Sequence, residues 1–352
     1  SSFKMLKINS SIRSLVSRSI TTRQLVYEKY GAPQKVIQMK TVELPDKLEP
    51  EQVLLEWHAS PINPADINQI QGMYGVRPKM PAIAGLEGAA RVLKTGSAVK
   101  SVKPGDQVIS SYEVAENWAD YGIFNQKDII HVDNDLPIEH SAFLKVNPPS
   151  AYVMLTDFAK LKKGDWIVQN CGNSAIGKQI IQVARILGFK TFNIIRNREN
   201  LGELVKEMKD LGANEVVTED DLYDKNKKMK LPRVKLALNG VGGKSSLYLA
   251  NALDQEGCMV TYGGMSRQPT QAPTAPLIFK NISLRGFWLM TWIREQKDDR
   301  ARQKVYSDLA GWMKSGEIQP TAMVKRSLED YKDALSEAQN KFDKKQLFFL
   351  KK

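Results

Sequence analysis

Cysteine and histidine are scarce in this chain of 352 residues: two of the first, Cys171 and Cys258, and three of the second, His58, His131 and His140. Two thiols exclude a disulfide-stapled scaffold and suit a reducing compartment. A catalytic zinc takes about three protein ligands and a structural zinc about four, so metal catalysis is not expected from so few candidates. The three histidines are read as packing or surface residues. No apolar run approaches the roughly 18 residues of a membrane span, so no transmembrane segment is expected. No internal repeat is evident, and no recognition module or basic-aromatic pattern accompanies the net charge of +12, which argues against a nucleic-acid partner. Acidic residues are missing from residues 1–27, which carry Lys4, Lys7, Arg13, Arg18 and Arg23 among many serines. That composition is typical of a mitochondrial transit peptide, here assigned to residues 1–24 with Met5 as the natural start; a disordered basic tail is the alternative. Without those five cations, the +12 falls to +7. A residual positive charge fits an acidic partner.

What is present reads as an ordinary globular enzyme, with 42% hydrophobic and 26% charged residues in a chain long enough for two domains. From Leu25 onward, short β segments alternate with Gly and Pro turns, the pattern of a small barrel; Val53 to Trp57, Gly88 to Val92, Gln107 to Ser111, Ala119 to Phe124 and Asp128 to Val132 are its expected strands. A helix from Pro148 to Phe158 leads into βα alternation, which predicts a parallel doubly wound sheet of about six strands. After Trp288 a long helix (Thr291 to Ser315), a second (Leu328 to Lys341) and a closing strand (Gln346 to Leu350) are expected. The boundaries drawn are 25–148, 149–287 and 288–352, the last segment returning to the first domain.

The most informative stretch is Trp166 to Arg198. A short buried strand leads through Gly172, Asn173, Ser174 and Gly177 into a helix whose Ile176, Ile180, Val183, Ala184 and Leu187 share one face, with Gly188 as its stop. Strand, glycine turn, helix and strand form the βαβ unit that sets a helix N-terminus against a pyrophosphate. The turn is a degraded GxGxxG, with Ser174 in place of the second Gly. It is also a degraded phosphate loop, with Gln179 where a magnesium-binding hydroxyl is needed. The dinucleotide reading ranks first. At the end of the second strand, where an NAD enzyme places an acid, stand Arg196, Asn197 and Arg198; arginine there accommodates a 2′-phosphate, so NADPH is the expected cofactor.

Several strings together resemble the mitochondrial trans-2-enoyl-thioester reductases, a zinc-free branch of the medium-chain dehydrogenase/reductase superfamily. They are SPINPADINQIQGMYG at 60–75, PAIAGLEGAARV at 81–92, VNPPSAYVML at 146–155, LNGVGGKSS at 238–246, VTYGGM at 260–265 and LRGFWL at 284–289. Zinc-dependent relatives keep a Cys where this chain has Asn63 and a His-Glu pair where it has Leu86-Glu87. The resemblance implies an α/β protein with a GroES-like β-barrel catalytic domain and a Rossmann cofactor domain, and reduction of an enoyl-CoA or enoyl-acyl carrier protein. An acidic acyl carrier protein, a homodimer and a mitochondrial matrix location go with it. It assigns catalysis to Tyr74. It places Asn147 beside the nicotinamide, Asn173, Ser174, Ala175 and Ile176 at the pyrophosphate, and Arg196, Asn197 and Arg198 at the 2′-phosphate. Tyr262, Gly263, Gly264 and Met265, the segment Phe287, Trp288 and Leu289, and Lys345 complete the cofactor set. A quinone reductase of the same superfamily and a non-catalytic NADPH-binding protein are the alternatives.

Overall fold

The computed structural model describes residues 19–350, apart from 113, 225, 228, 297, 298, 342 and 343. Extended runs rich in β-branched and aromatic residues build the first half of the chain: β1 (Ile20–Tyr27), β2 (Gln38–Leu44), β3 (Gln52–Pro61), β4 (Ala82–Ile83), β5 (Ala89–Thr95), β6 (Gln107–Ser110), β7 (Tyr121–Asn125) and β8 (Ile129–Val132). β3 is the centre of this domain. It pairs antiparallel with β5 and β7, so its residues are buried almost without interruption. Trp57 on β3 packs edge-on against Phe124 on β7, with ring centroids 5.6 Å apart.

The second half follows the βα alternation. β9 (Trp166–Asn170), β10 (Lys190–Ile195), β11 (Glu215–Thr218), β12 (Val234–Asn239), β13 (Leu253–Thr261) and β14 (Ser283–Gly286) form one parallel sheet in the order β11-β10-β9-β12-β13-β14. The order reverses between β9 and β12, the switch point at which doubly wound sheets bind ligands. Helix Asn147–Thr156 joins the halves and buries Ala151, Val153, Met154 and Leu155 in the shared core. β15 (Met323–Arg326) and β16 (Lys345–Phe349) then return to the first sheet, where Phe348 of β16 stands opposite Ser60 of β3. Among the described residues no helix is long and apolar enough to cross a membrane.

Three expectations need correction. The segment 1–24 was expected to be a leader, but its last residues are folded: β1 starts at Ile20 and pairs over seven positions with β2. Arg23 is held there by Asp120, Nε to Oδ2 at 2.6 Å, so its charge is part of the domain; residues 1–18 lie outside the described residues. The long helix expected over 291–315 is two helices, Leu289–Glu295 and Asp299–Lys314. Gln296 leaves the helical region, and Asp299 sets a carboxylate in the first turn of the next helix, where the macrodipole favours it. The helix expected from Leu328 opens as a 3-10 turn, with the helix proper at Tyr331–Asn340.

Candidate active site

A cavity of about 1660 Å³ lies between the barrel and the parallel sheet and is lined from both. Such a volume exceeds the ~300–1,000 Å³ of a single small-ligand pocket and leaves room for a dinucleotide and a second molecule. Its floor is the turn after β9. Ser174 caps helix Ala175–Leu187, its Oγ accepting from Gly177 N at 3.1 Å, and Gly188 ends the helix at φ +83°. Gly177 is required because a Cβ there would stand 2.5 Å from the Gly172 carbonyl oxygen. The turn therefore closes tightly and presents backbone N–H groups at a helix N-terminus. Lys178, the lysine of the degraded phosphate loop, lines the cavity too, but its ammonium is already paired there with Glu207 at 2.6 Å. This geometry favours the dinucleotide reading over the phosphate loop.

Arg196 and Arg198 line the cavity just beyond β10; Asn197 is exposed and does not. A two-residue spacing puts the arginines on one side and Asn197 on the other. Tyr262 lines the wall beyond β13, and its Oη is buried with no hydrogen-bond partner among the described residues. A buried hydroxyl without a partner marks a place where a polar ligand fits. The helix N-terminus, the two arginines and this hydroxyl together suit a phosphorylated dinucleotide.

Tyr74 stands on the opposite wall. Helix Pro64–Ile70 carries the chain toward it, with the Asp66 carboxylate accepting from the Asn63 backbone N–H at 2.7 Å and Pro64 at its first turn. Gly72, at φ +76°, turns the backbone out of the helix against the ring of Tyr30. Across the cleft, Trp288 at the end of the parallel sheet donates its indole N–H to Tyr74 Oη at 3.1 Å. The two rings meet edge to face at 6.1 Å and 89°. Burial pushes the Tyr74 phenol above its ordinary value, the Trp288 donor pulls it back, and the charge of Asp66 adds to the rise.

Behind Tyr74 lies a buried polar cluster that sequence reasoning missed as a unit. Asp66 accepts from Asn63 N and Leu86 N, each at 2.7 Å, and burial pushes its carboxyl up to about 6. Glu87, fully buried, accepts from Asn63 Nδ2 at 2.8 Å and Val146 N at 3.0 Å. Lys145 Nζ donates to Leu86 O, to Ser110 Oγ at 3.0 Å and to Val114 O at 2.9 Å. Lys345 Nζ donates to Asn63 Oδ1 at 2.7 Å. Burial pushes the Glu87 carboxyl up and both lysines down, since the low-dielectric surroundings disfavour each charged form. Two carboxylates and two ammonium groups leave the cluster formally neutral. Among the described residues no three His, Cys, Asp or Glu gather in a way that could hold a metal ion.

The expected site residues converge with one exception. Tyr74, Asn147, Asn173, Ser174, Ala175, Ile176, Arg196, Arg198, Tyr262, Gly263, Gly264, Met265, Phe287, Trp288, Leu289 and Lys345 all line the cavity, and Asn197 alone does not.

A barrel and a doubly wound sheet closing on one cleft, with the chain end returning to the barrel, define a nucleotide-dependent oxidoreductase of the medium-chain dehydrogenase/reductase class. Residues 49–132 match the alcohol dehydrogenase GroES-like domain and residues 175–303 the zinc-binding dehydrogenase family. The chain is 55% identical, over 98% of its length and all of the relative, to the mitochondrial enoyl-[acyl-carrier-protein] reductase of Caenorhabditis elegans. It superposes at a TM-score of 0.85 on Etr1p solved with NADP and crotonyl-CoA, with 34% identity over 93% of this chain and 99% of that one. The mitochondrial 2-enoyl thioester reductase Etr1p/Etr2p heterodimer from Candida tropicalis gives the same score at 35% identity, over 93% and 99%. The chain belongs to the mitochondrial enoyl-[acyl-carrier-protein] reductase family.

Proposed function

We infer that this protein is an NADPH-dependent reductase of trans-2-enoyl thioesters, acting in mitochondrial fatty acid synthesis and yielding saturated acyl thioesters. The observation that carries the reading is the Tyr74–Trp288 pair, facing across one cavity the two arginines and the helix N-terminus that suit NADPH. NADPH bound there supplies a hydride. A conjugated thioester that receives hydride at its β-carbon builds negative charge on its carbonyl oxygen and α-carbon. Because Trp288 donates to Tyr74 Oη, the phenol keeps its own proton for the cavity side. Its role in this reading is to stabilise that charge and to deliver the proton to the α-carbon. The raised phenol pKa keeps it protonated throughout the physiological range. Apolar residues Ile62, Ile67, Leu86 and Phe287 line the same cavity and suit an acyl chain.

Two partners follow from the same reading. An acidic acyl carrier protein fits the excess positive charge as the carrier of the acyl chain. A homodimer fits β14, an edge strand exposed at all four residues beside Ile278 and Phe279, which are 65% and 78% exposed. Turnover of a trans-2-enoyl-CoA with NADPH by the purified chain, with loss in Tyr74→Phe, tests the reading.

A further inference from the structure

The buried cluster contains a linkage that the reaction as described does not use. Lys345 Nζ, Asn63 Oδ1, Asn63 Nδ2, Glu87 Oε2, Glu87 Oε1 and Val146 N form one continuous chain of hydrogen bonds of 2.7, 2.8 and 3.0 Å. Asn63 is 4% exposed and Glu87 fully buried, so water does not compete for these contacts. The amide orientation is fixed by its two neighbours. Nδ2 must face the carboxylate and Oδ1 the ammonium, and a flipped amide would set donor against donor and acceptor against acceptor. At one end, Lys345 lines the cavity with only one of its three N–H donors bound to Asn63. At the other end, Val146 is the N-terminal flank of helix Asn147–Thr156. That helix has no side-chain cap of its own, so the Glu87 carboxylate takes that place, satisfying an N–H and meeting the positive end of the helix dipole.

We propose that Asn63 and Glu87 are positioning residues: their relay holds Lys345 and the Val146–Asn147 helix start in one fixed relation, so that both meet the bound dinucleotide together. The relay joins three remote segments, the β3–helix turn, the β4–β5 connection and β16, to the bridging helix. Its elements come from opposite ends of the chain, so the cleft is preorganised only when the returning C-terminal strand is in place. The proposal rests on the NADPH reading given above.

Replacement by the matching amide and acid tests it. Glu87→Gln offers one acceptor to two donors, and Asn63→Asp sets two carboxylates face to face. Each single replacement weakens NADPH binding, read by quenching of intrinsic fluorescence, roughly 10- to 100-fold. The double replacement Asn63→Asp with Glu87→Gln restores a full donor–acceptor match with the same net charge. It recovers NADPH affinity to within about threefold of the parent. Singles that bind NADPH like the parent, or a folded double replacement no tighter than the singles, overturn the relay. Where a single replacement does not fold, Asn63→Ala and Lys345→Met are compared alone and together. Non-additive losses of NADPH affinity support the relay, and additive losses overturn it. A parent protein that fails to bind NADPH overturns the functional reading and the relay with it; a parent that binds while the double replacement does not recover overturns the relay alone.

Discussion

Replacing Trp288 by Phe isolates one contact in the active site. The indole N–H, 3.1 Å from Tyr74 Oη, is the donor that opposes the effect of burial on the phenol, and a phenyl ring keeps the edge-to-face packing while removing that donor. A neutral hydrogen bond of this kind contributes about 1 kcal/mol net and somewhat more in a secluded cleft. The loss converts to roughly a 5- to 15-fold lower kcat. Two effects act in the same direction: the hydroxyl loses the partner that orients it, and burial then raises its pKa unopposed, making it a weaker acid. The assay is the fall in NADPH absorbance at saturating NADPH and enoyl-CoA, for Trp288→Phe alone and in the Tyr74→Phe background. With no hydroxyl present, Trp288→Phe has nothing to orient, so its effect there falls below about twofold. An equal loss in both backgrounds would refute the reasoning and leave Trp288 as a wall of the acyl pocket.

Other expectations follow from the remaining geometry. The double replacement Arg196→Ala with Arg198→Ala raises the KM for NADPH roughly 10- to 100-fold and leaves NADH kinetics nearly unchanged, since both arginines face the cavity and the cofactors differ only in the 2′-phosphate. Steady-state kinetics with both cofactors decide it. Lys145→Met removes three hydrogen bonds and leaves Asp66 and Glu87 without half their compensating charge; urea unfolding is expected to show a loss of about 3–5 kcal/mol, and a loss under about 1 kcal/mol would contradict the ledger of the cluster. Phe279→Asp with Ile278→Asp places charges beside the exposed β14 edge and converts a dimer to a monomer by light scattering without loss of fold; an unchanged mass places the interface elsewhere.

The parts of this molecule that were legible in the sequence are local. The Trp166–Arg198 unit carries its own signals: one apolar helix face, a glycine at the left-handed stop, and two arginines at a strand end. The observed strands, helix and cap follow them closely. β1 and β2 were hidden because their outer faces are polar and basic, so composition read the start of β1 as leader. Tyr74 was legible only through the family strings, because a tyrosine in a glycine-flanked loop has no periodicity to mark it. The buried cluster was beyond local reasoning altogether. Asn63, Glu87, Lys145 and Lys345 lie as much as 282 residues apart, and the return of β16 to β3 brings Lys345 to the other three.

The measurement that bears most directly on the central claim is NADPH oxidation by the purified protein with a trans-2-enoyl-CoA, set beside a quinone and beside NADH, for the parent and Tyr74→Phe. The account predicts turnover of the enoyl thioester with NADPH, weak turnover with NADH, and a loss of about 100- to 10,000-fold in kcat for Tyr74→Phe with NADPH affinity retained. Turnover of the quinone alone, or a Tyr74→Phe enzyme as active as the parent, would contradict it.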